Sequence, residues 1–307
     1  MESSEVIVCG VITSVKDQGK ASFDTPGGSL SGEKMRGELA ADETLKGSTA
    51  SRVLYVQFFA PDVQSPIRPI PTGQRAIFFL RQGVSDYKLS DPVYPFLPAG
   101  PGGAISSGSP LDRVTVKLGE VLAYSGSTAT EVNAALDALG TLDTELAAET
   151  LRKLLTTSSG ELQLRIASRL VARNDIAGLV IVGNALLHPE RLSNYAVTNL
   201  AGSVGGLKDP KSIPMLKQLL KVQDQQITRS VAVALRQSGS ADALVPLSGL
   251  LGNSEELVRY YAVVGMGEIT RQDAWTPAFD EFHFHESKYL SYWRDWAQSN
   301  LPAEYRK

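Results

Sequence analysis

The sequence predicts an α+β chain of two parts. A small β-barrel occupies residues 1–94, and an all-helical region occupies residues 111–307 after one last strand at its start. Three observations carry this reading. β-Branched and alternating apolar runs cluster in the first 118 residues of the chain. An apolar pattern recurs in the second half with a period of about 30–35 residues, the signature of stacked helical repeats. Between the two lies Pro95–Pro110, PFLPAGPGGAISSGSP, dense in Pro, Gly and Ser and read as a linker or long loop.

Taken in order, residues 5–16, EVIVCGVITSVK, read as a strand with Gly10 at a bulge, closed by the polar Asp17-Gln18-Gly19 turn. Ala21–Gly32 reads as a loop because of Pro26, Gly27, Gly28 and its serines, and Met35–Thr44 is only weakly periodic. Arg52–Phe59 alternates as a strand should, whereas Pro61–Pro71 holds four prolines and is irregular. Arg75–Arg81, RAIFFLR, is a second strand, with Tyr87–Leu89 as its hairpin partner. Leu111–Leu118 reads as a final strand.

From Gly119 the periodicity becomes helical: Thr130–Leu139, then Asp143–Leu155 with Asp143 as cap. The repeat itself aligns on Leu170, Leu200, Leu235 and Met266, each preceded by four residues by a residue suited to close packing: Ile166, Ala196, Val231 and Ala262. Asp175–Leu187, Asp209–Val222 and Ala241–Leu251 supply the intervening helices. Asp209-Pro210 and Ser254-Glu255-Glu256 look like helix starts, and Gly239 and Gly252 like stops. Tyr289, Trp293 and Trp296 at helical spacing suggest a terminal helix that caps the last repeat.

The paired helices and the line Val258-Arg259-x-x-Ala262-x-x-x-Met266-Gly267 resemble the HEAT-like repeats of α-solenoids, over about residues 119–307. The strand order in the first part resembles the OB-like netrin/TIMP-type modules that precede helical repeats in some exported bacterial proteins. That resemblance implies no inhibitory role for Cys9, because the lone cysteine cannot form the disulfides such modules carry.

A net charge of −3 argues against a phosphate-tracking surface, so no nucleic acid is expected, and no run is long enough to span a bilayer. The start, MESSEVIVCG, lacks a signal peptide; a trimmed leader would place the chain in the periplasm, and otherwise it is cytoplasmic. No cofactor is expected. His283-Phe284-His285-Glu286 is the one histidine–carboxylate cluster; it suggests metal only if the imidazoles converge, and otherwise its polar residues alternate with buried Phe282 and Phe284.

The expected function is that of a non-enzymatic scaffold whose concave helical face binds a protein partner. Stepping back five or six residues from each anchor nominates Arg165, Tyr195, Arg229 and Tyr260, residue types favoured at binding hot spots. Arg259 is expected to brace the neighbouring repeat. The alternatives are an accessory or assembly subunit of an enzyme, like lyase-type HEAT-repeat factors, and a metal-dependent hydrolase built on His283 and His285.

Overall fold

The structure is a computed structural model and describes residues 3–25, 28–62, 67, 69–91, 93–105 and 107–302. It falls into two compact units, Met1–Leu154 and Leu155–Lys307, the division lying inside the third helix.

The first unit is built on a six-stranded sheet: β1 (Val6–Thr25), β2 (Gly28–Lys46), β3 (Val53–Pro61), β4 (Arg75–Gln82), β5 (Tyr87–Leu89) and β6 (Phe96–Pro98). Pairing runs β1-β2-β3-β5-β4-β6, and β4 also pairs antiparallel with β1 from Val6 to Val11, so the ladder returns to its first strand. The β3–β5 pairing is parallel. Val8, Ile12, Leu39, Leu54, Val56, Phe78 and Leu80 form one core cluster. Ile7, Cys9, Ile77 and Phe79, at the alternate positions of β1 and β4, are buried as well. Burial at alternate and intervening positions alike explains why VIVC and IFFL read as unbroken apolar runs. Gly10 does mark a register shift, and a Cβ there would lie 2.4 Å from the Ala40 carbonyl oxygen.

Several expectations need correction. Ala21–Gly32 is not a loop: Ala21 to Thr25 pair with Gly32 to Gly28 in the far part of a long β1–β2 hairpin, and Met35–Thr44 belongs to β2. Low β-propensity yields here to the ladder hydrogen bonds of the partner strand. Pro26 and Gly27 lie outside the described residues, as do most of the positions between Asp62 and Pro69 read as irregular. The stretch at 95–110 contains β6, which pairs with β4. Residues 111–118 are helix, not strand, in α1 (Pro110–Ala123). Its start is a capping box, Ser109 and Asp112 exchanging side-chain bonds with each other's backbone N–H, with Pro110 in the first turn. The β-branched Val114, Thr115 and Val116 obscured that signal. Two more helices follow, α2 (Ala129–Thr141) and α3 (Glu145–Thr157); Thr144, not Asp143, accepts the Ala147 N–H at the start of α3.

A buried ionic network secures α1 and the 99–105 segment to the sheet. Lys117 is fully buried; its Nζ donates to the carbonyls of Gly102 and Gly103 at 3.2 and 2.6 Å and lies 3.0 Å from Glu43 Oε2. Glu43 Oε1 accepts the Ile105 N–H at 2.6 Å. Arg75 forks onto Asp42 at 2.8 and 2.9 Å and donates to the Gly100 carbonyl. Pro, Gly and Ser make this segment look like a linker, but its backbone carbonyls and N–H groups are partners for buried charges. That is the only economical way to keep those charges inside a protein.

The second unit is helical, in an arrangement compatible with a solenoid. One row contains α4 (Gly160–Ala172), α6 (Asn194–Gly205), α8 (Gln225–Gln237) and α10 (Glu256–Thr270), each packed on the next. The intervening helices are α5 (Leu179–Leu186), α7 (Ile213–Leu219) and α9 (Leu244–Leu250), each entered through a three-residue 3₁₀ turn. Those turns begin at Asp175, Asp209 and Ser240, whose side-chain oxygens accept the N–H two residues on. The four anchors Leu170, Leu200, Leu235 and Met266 are all buried. α10 begins without the Ser254 cap: Asn253 Oδ1 accepts the Glu255 N–H at 2.8 Å. α11 (Phe279–Asn300) packs against α9 and α10 and buries Phe282, Tyr289 and Trp293, so it covers the end of the row. No helix among the described residues is long and apolar enough to cross a membrane.

Candidate functional site

The row α4–α6–α8–α10 positions the nominated side chains. Its helices are buried along the anchor stripe, with Ile166, Leu170, Val197, Leu200, Val231 and Leu235 among the residues that hold adjacent helices in register. Polar links between successive repeats fix that register further. Asn174, at a left-handed φ of 62°, accepts the N–H groups of Lys208 and Asp209 at 2.5 and 3.0 Å. Thr198 on α6 donates to Gln226 on α8 at 2.8 Å. Arg229 binds Glu255, Nε to Oε1 at 2.7 Å, and Arg236 forks onto Glu268 at 2.7 and 2.6 Å. Arg259 pairs with Glu286 of α11 and donates to the carbonyls of Asn253 and Ser254, so it ties the terminal helix to the entry of α10.

Against this frame the four nominated residues separate. Tyr195, near the start of α6, is 78% exposed and makes no hydrogen bond among the described residues. Arg165 on α4 is half-buried and already has an interaction. Arg229 is engaged with Glu255, so its guanidinium serves the contact between repeats. Tyr260 is half-buried and packs at 5.2 Å on Phe279 and 5.5 Å on Phe282, both of α11. The offset explains the split. Arg165 and Tyr195 sit five residues before their anchors, whereas Arg229 and Tyr260 sit six before theirs; one residue is about 100° around a helix. Beside Tyr195, the exposed edge of α6 continues through Thr198, Asn199 and Gly202, none of which the anchor rule had singled out.

Comparison of this chain with protein-family models, curated proteins and solved structures returns no match.

The histidine cluster lies on α11. His283 Nδ1 is 2.6 Å from Glu256 Oε1, and this carboxylate raises the imidazole's pKa above its ordinary value. His285 sits at a break in helical geometry, with φ −128° and ψ 27°. Phe284 is 77% exposed rather than buried as expected: two residues past the buried Phe282, about 200° around the helix, it lies on the opposite face. Among the described residues no three His, Cys, Asp or Glu side chains come together as a metal-holding group. In the first unit Cys9 is fully buried, and burial pushes its thiol up to about 12, which keeps it protonated and unreactive.

Proposed function

We propose that this chain is a non-enzymatic protein-interaction scaffold, with a HEAT-like α-solenoid as its partner-binding part and an OB-like barrel of netrin/TIMP type at its N-terminus. The barrel reading is supported by the return of the strand pairing from β4 to β1 and by the parallel β3–β5 pair. The solenoid reading is supported by the regular succession α4–α6–α8–α10 with its repeated 3₁₀ entries.

One observation carries the binding site: Tyr195 stands exposed on α6, while Arg229 and Arg236 of the adjacent α8 are engaged with Glu255 and Glu268. A large amphipathic ring on a rigid support makes contact area available at little entropic cost. Asn199, on the exposed edge beside it, adds an amide for hydrogen bonding. The partner is therefore a protein surface that takes the tyrosine ring into a pocket of its own, with Arg165 at the flank. Arg229 and Tyr260 support the site by holding α8, α10 and α11 together.

The test is co-purification from the source organism's extract with the wild type, Tyr195→Ala, and Val180→Ala as control. Val180 is 60% exposed on α5, in the intervening set of helices. A partner retained by Val180→Ala and lost by Tyr195→Ala supports the reading; a partner held equally by all three contradicts it.

A further inference from the structure

The N-terminal unit holds a cavity of its own, independent of the helical row. A cavity of about 390 Å³ opens between the outer part of the β1–β2 hairpin, β3 and β5. That is within the size range of small-molecule sites. Its apolar wall is aromatic: Phe58 and Phe59 of β3 and Phe23 of β1, with Phe23 and Phe59 stacked at 5.7 Å. Two lysines belong to the same lining, Lys34 on β2 and Lys88 on β5.

The ionic surroundings make these two lysines distinct. Lys20 is neutralised by Glu33 and Asp62 at 3.3 and 3.2 Å. Arg36 forks onto Asp86 at 2.8 and 2.9 Å, and Gln57 donates to the same carboxylate at 3.1 Å. Glu33, Asp62 and Asp86 are thus already engaged. Lys34 and Lys88 form no ion pair or hydrogen bond among the described residues, and both are exposed. Lys34 adds its field to that of Arg36 at Asp86 but keeps its ammonium outside any ion pair, so aromatic rings and two lysines in one lining complement an apolar body that carries a single negative head.

We propose that this cavity binds a small amphipathic carboxylate, with an aliphatic or aromatic body of roughly ten heavy atoms among Phe23, Phe58 and Phe59 and its carboxylate between Lys34 and Lys88. The carboxylates flanking the site, Glu33, Asp62 and Asp86, disfavour a nucleic-acid strand, which needs a continuous cationic track.

Isothermal titration of the full chain with octanoate tests this, with 1-octanol and octylammonium as neutral and cationic probes of the same length. Octanoate is expected to bind saturably at one site and to weaken with added salt, and the other two probes to bind at least several-fold more weakly. Lys34→Gln/Lys88→Gln is expected to weaken octanoate binding by about tenfold. Both lysines are on the surface, so this variant keeps the wild-type melting temperature. Ser22→Trp, which would fill the cavity from its rim, is expected to abolish binding. Absence of saturable octanoate binding would overturn the proposal. So would equal affinity for 1-octanol, which would mark the cavity as a cleft for an apolar protein side chain, or unchanged binding in the double lysine variant.

Discussion

Replacing Lys117 with Met removes the hub of the buried network while keeping most of the side-chain volume. Glu43 Oε2, 3.0 Å from the lost ammonium, then keeps only the more distant Arg75 Nη2, at 3.6 Å, as counter-charge in the interior, and the carbonyls of Gly102 and Gly103 lose their donor. Breaking a buried pair by removing one partner costs about 3–5 kcal/mol. Cys9 reads this out directly. It is the chain's single cysteine, fully buried in the same unit, and with its thiol pushed up to about 12 it is labelled only when the unit opens. When opening and closing are fast relative to labelling, the observed rate follows the opening equilibrium. At about 1.36 kcal/mol per decade, Lys117→Met should therefore speed Cys9 labelling by an aromatic disulfide roughly 10²–10⁴-fold. Adding Glu43→Leu should recover part of the loss, because the buried carboxylate that lost its nearer partner goes with it. A Lys117→Met rate within about threefold of the wild type would refute the view that this network holds the 99–105 segment and α1 onto the sheet.

Two further outcomes are expected in the helical unit, whose three tryptophans, Trp275, Trp293 and Trp296, give it a private fluorescence signal. Asn174→Ala should cost about 1–2 kcal/mol in urea unfolding, since two backbone N–H groups lose their acceptor and alanine is forced into a left-handed φ of 62°; Asn174→Gly should relieve only the conformational part. The His283–Glu256 pair should make stability depend on pH. Its imidazole pKa is raised in the folded state, so the contribution is fully present below the ordinary histidine value of about 6.5 and is lost as pH rises through the raised value. His283→Gln should flatten that part of a melting-temperature profile, and an unchanged profile would mean the pair contributes nothing.

What the sequence made legible followed from periodicity. Leu170, Leu200, Leu235 and Met266 all point inward, as a helical stripe requires. What it hid was decided by partners distant in sequence. Ser22 to Thr25 look like loop residues until Gly28 to Ser31 are seen opposite them, and Val114-Thr115-Val116 favours strand by composition until Ser109 and Asp112 cap it as helix. Lys117 and Glu43 lie too far apart in the chain for either to announce a buried pair. The face of the repeats was partly readable: a single-residue difference in offset sent Arg229 and Tyr260 into contacts with neighbouring helices and left Tyr195 exposed.

The most direct measurement places a photo-crosslinking phenylalanine analogue at Tyr195 in one version of the chain and at Val180 in another, followed by irradiation in the native extract. The scaffold account predicts one discrete crosslinked protein from position 195 and none from position 180, with the adduct suppressed by excess unlabelled wild type. A crosslink from position 180 alone, or identical products from both, would contradict the assignment of the partner to the α6 edge.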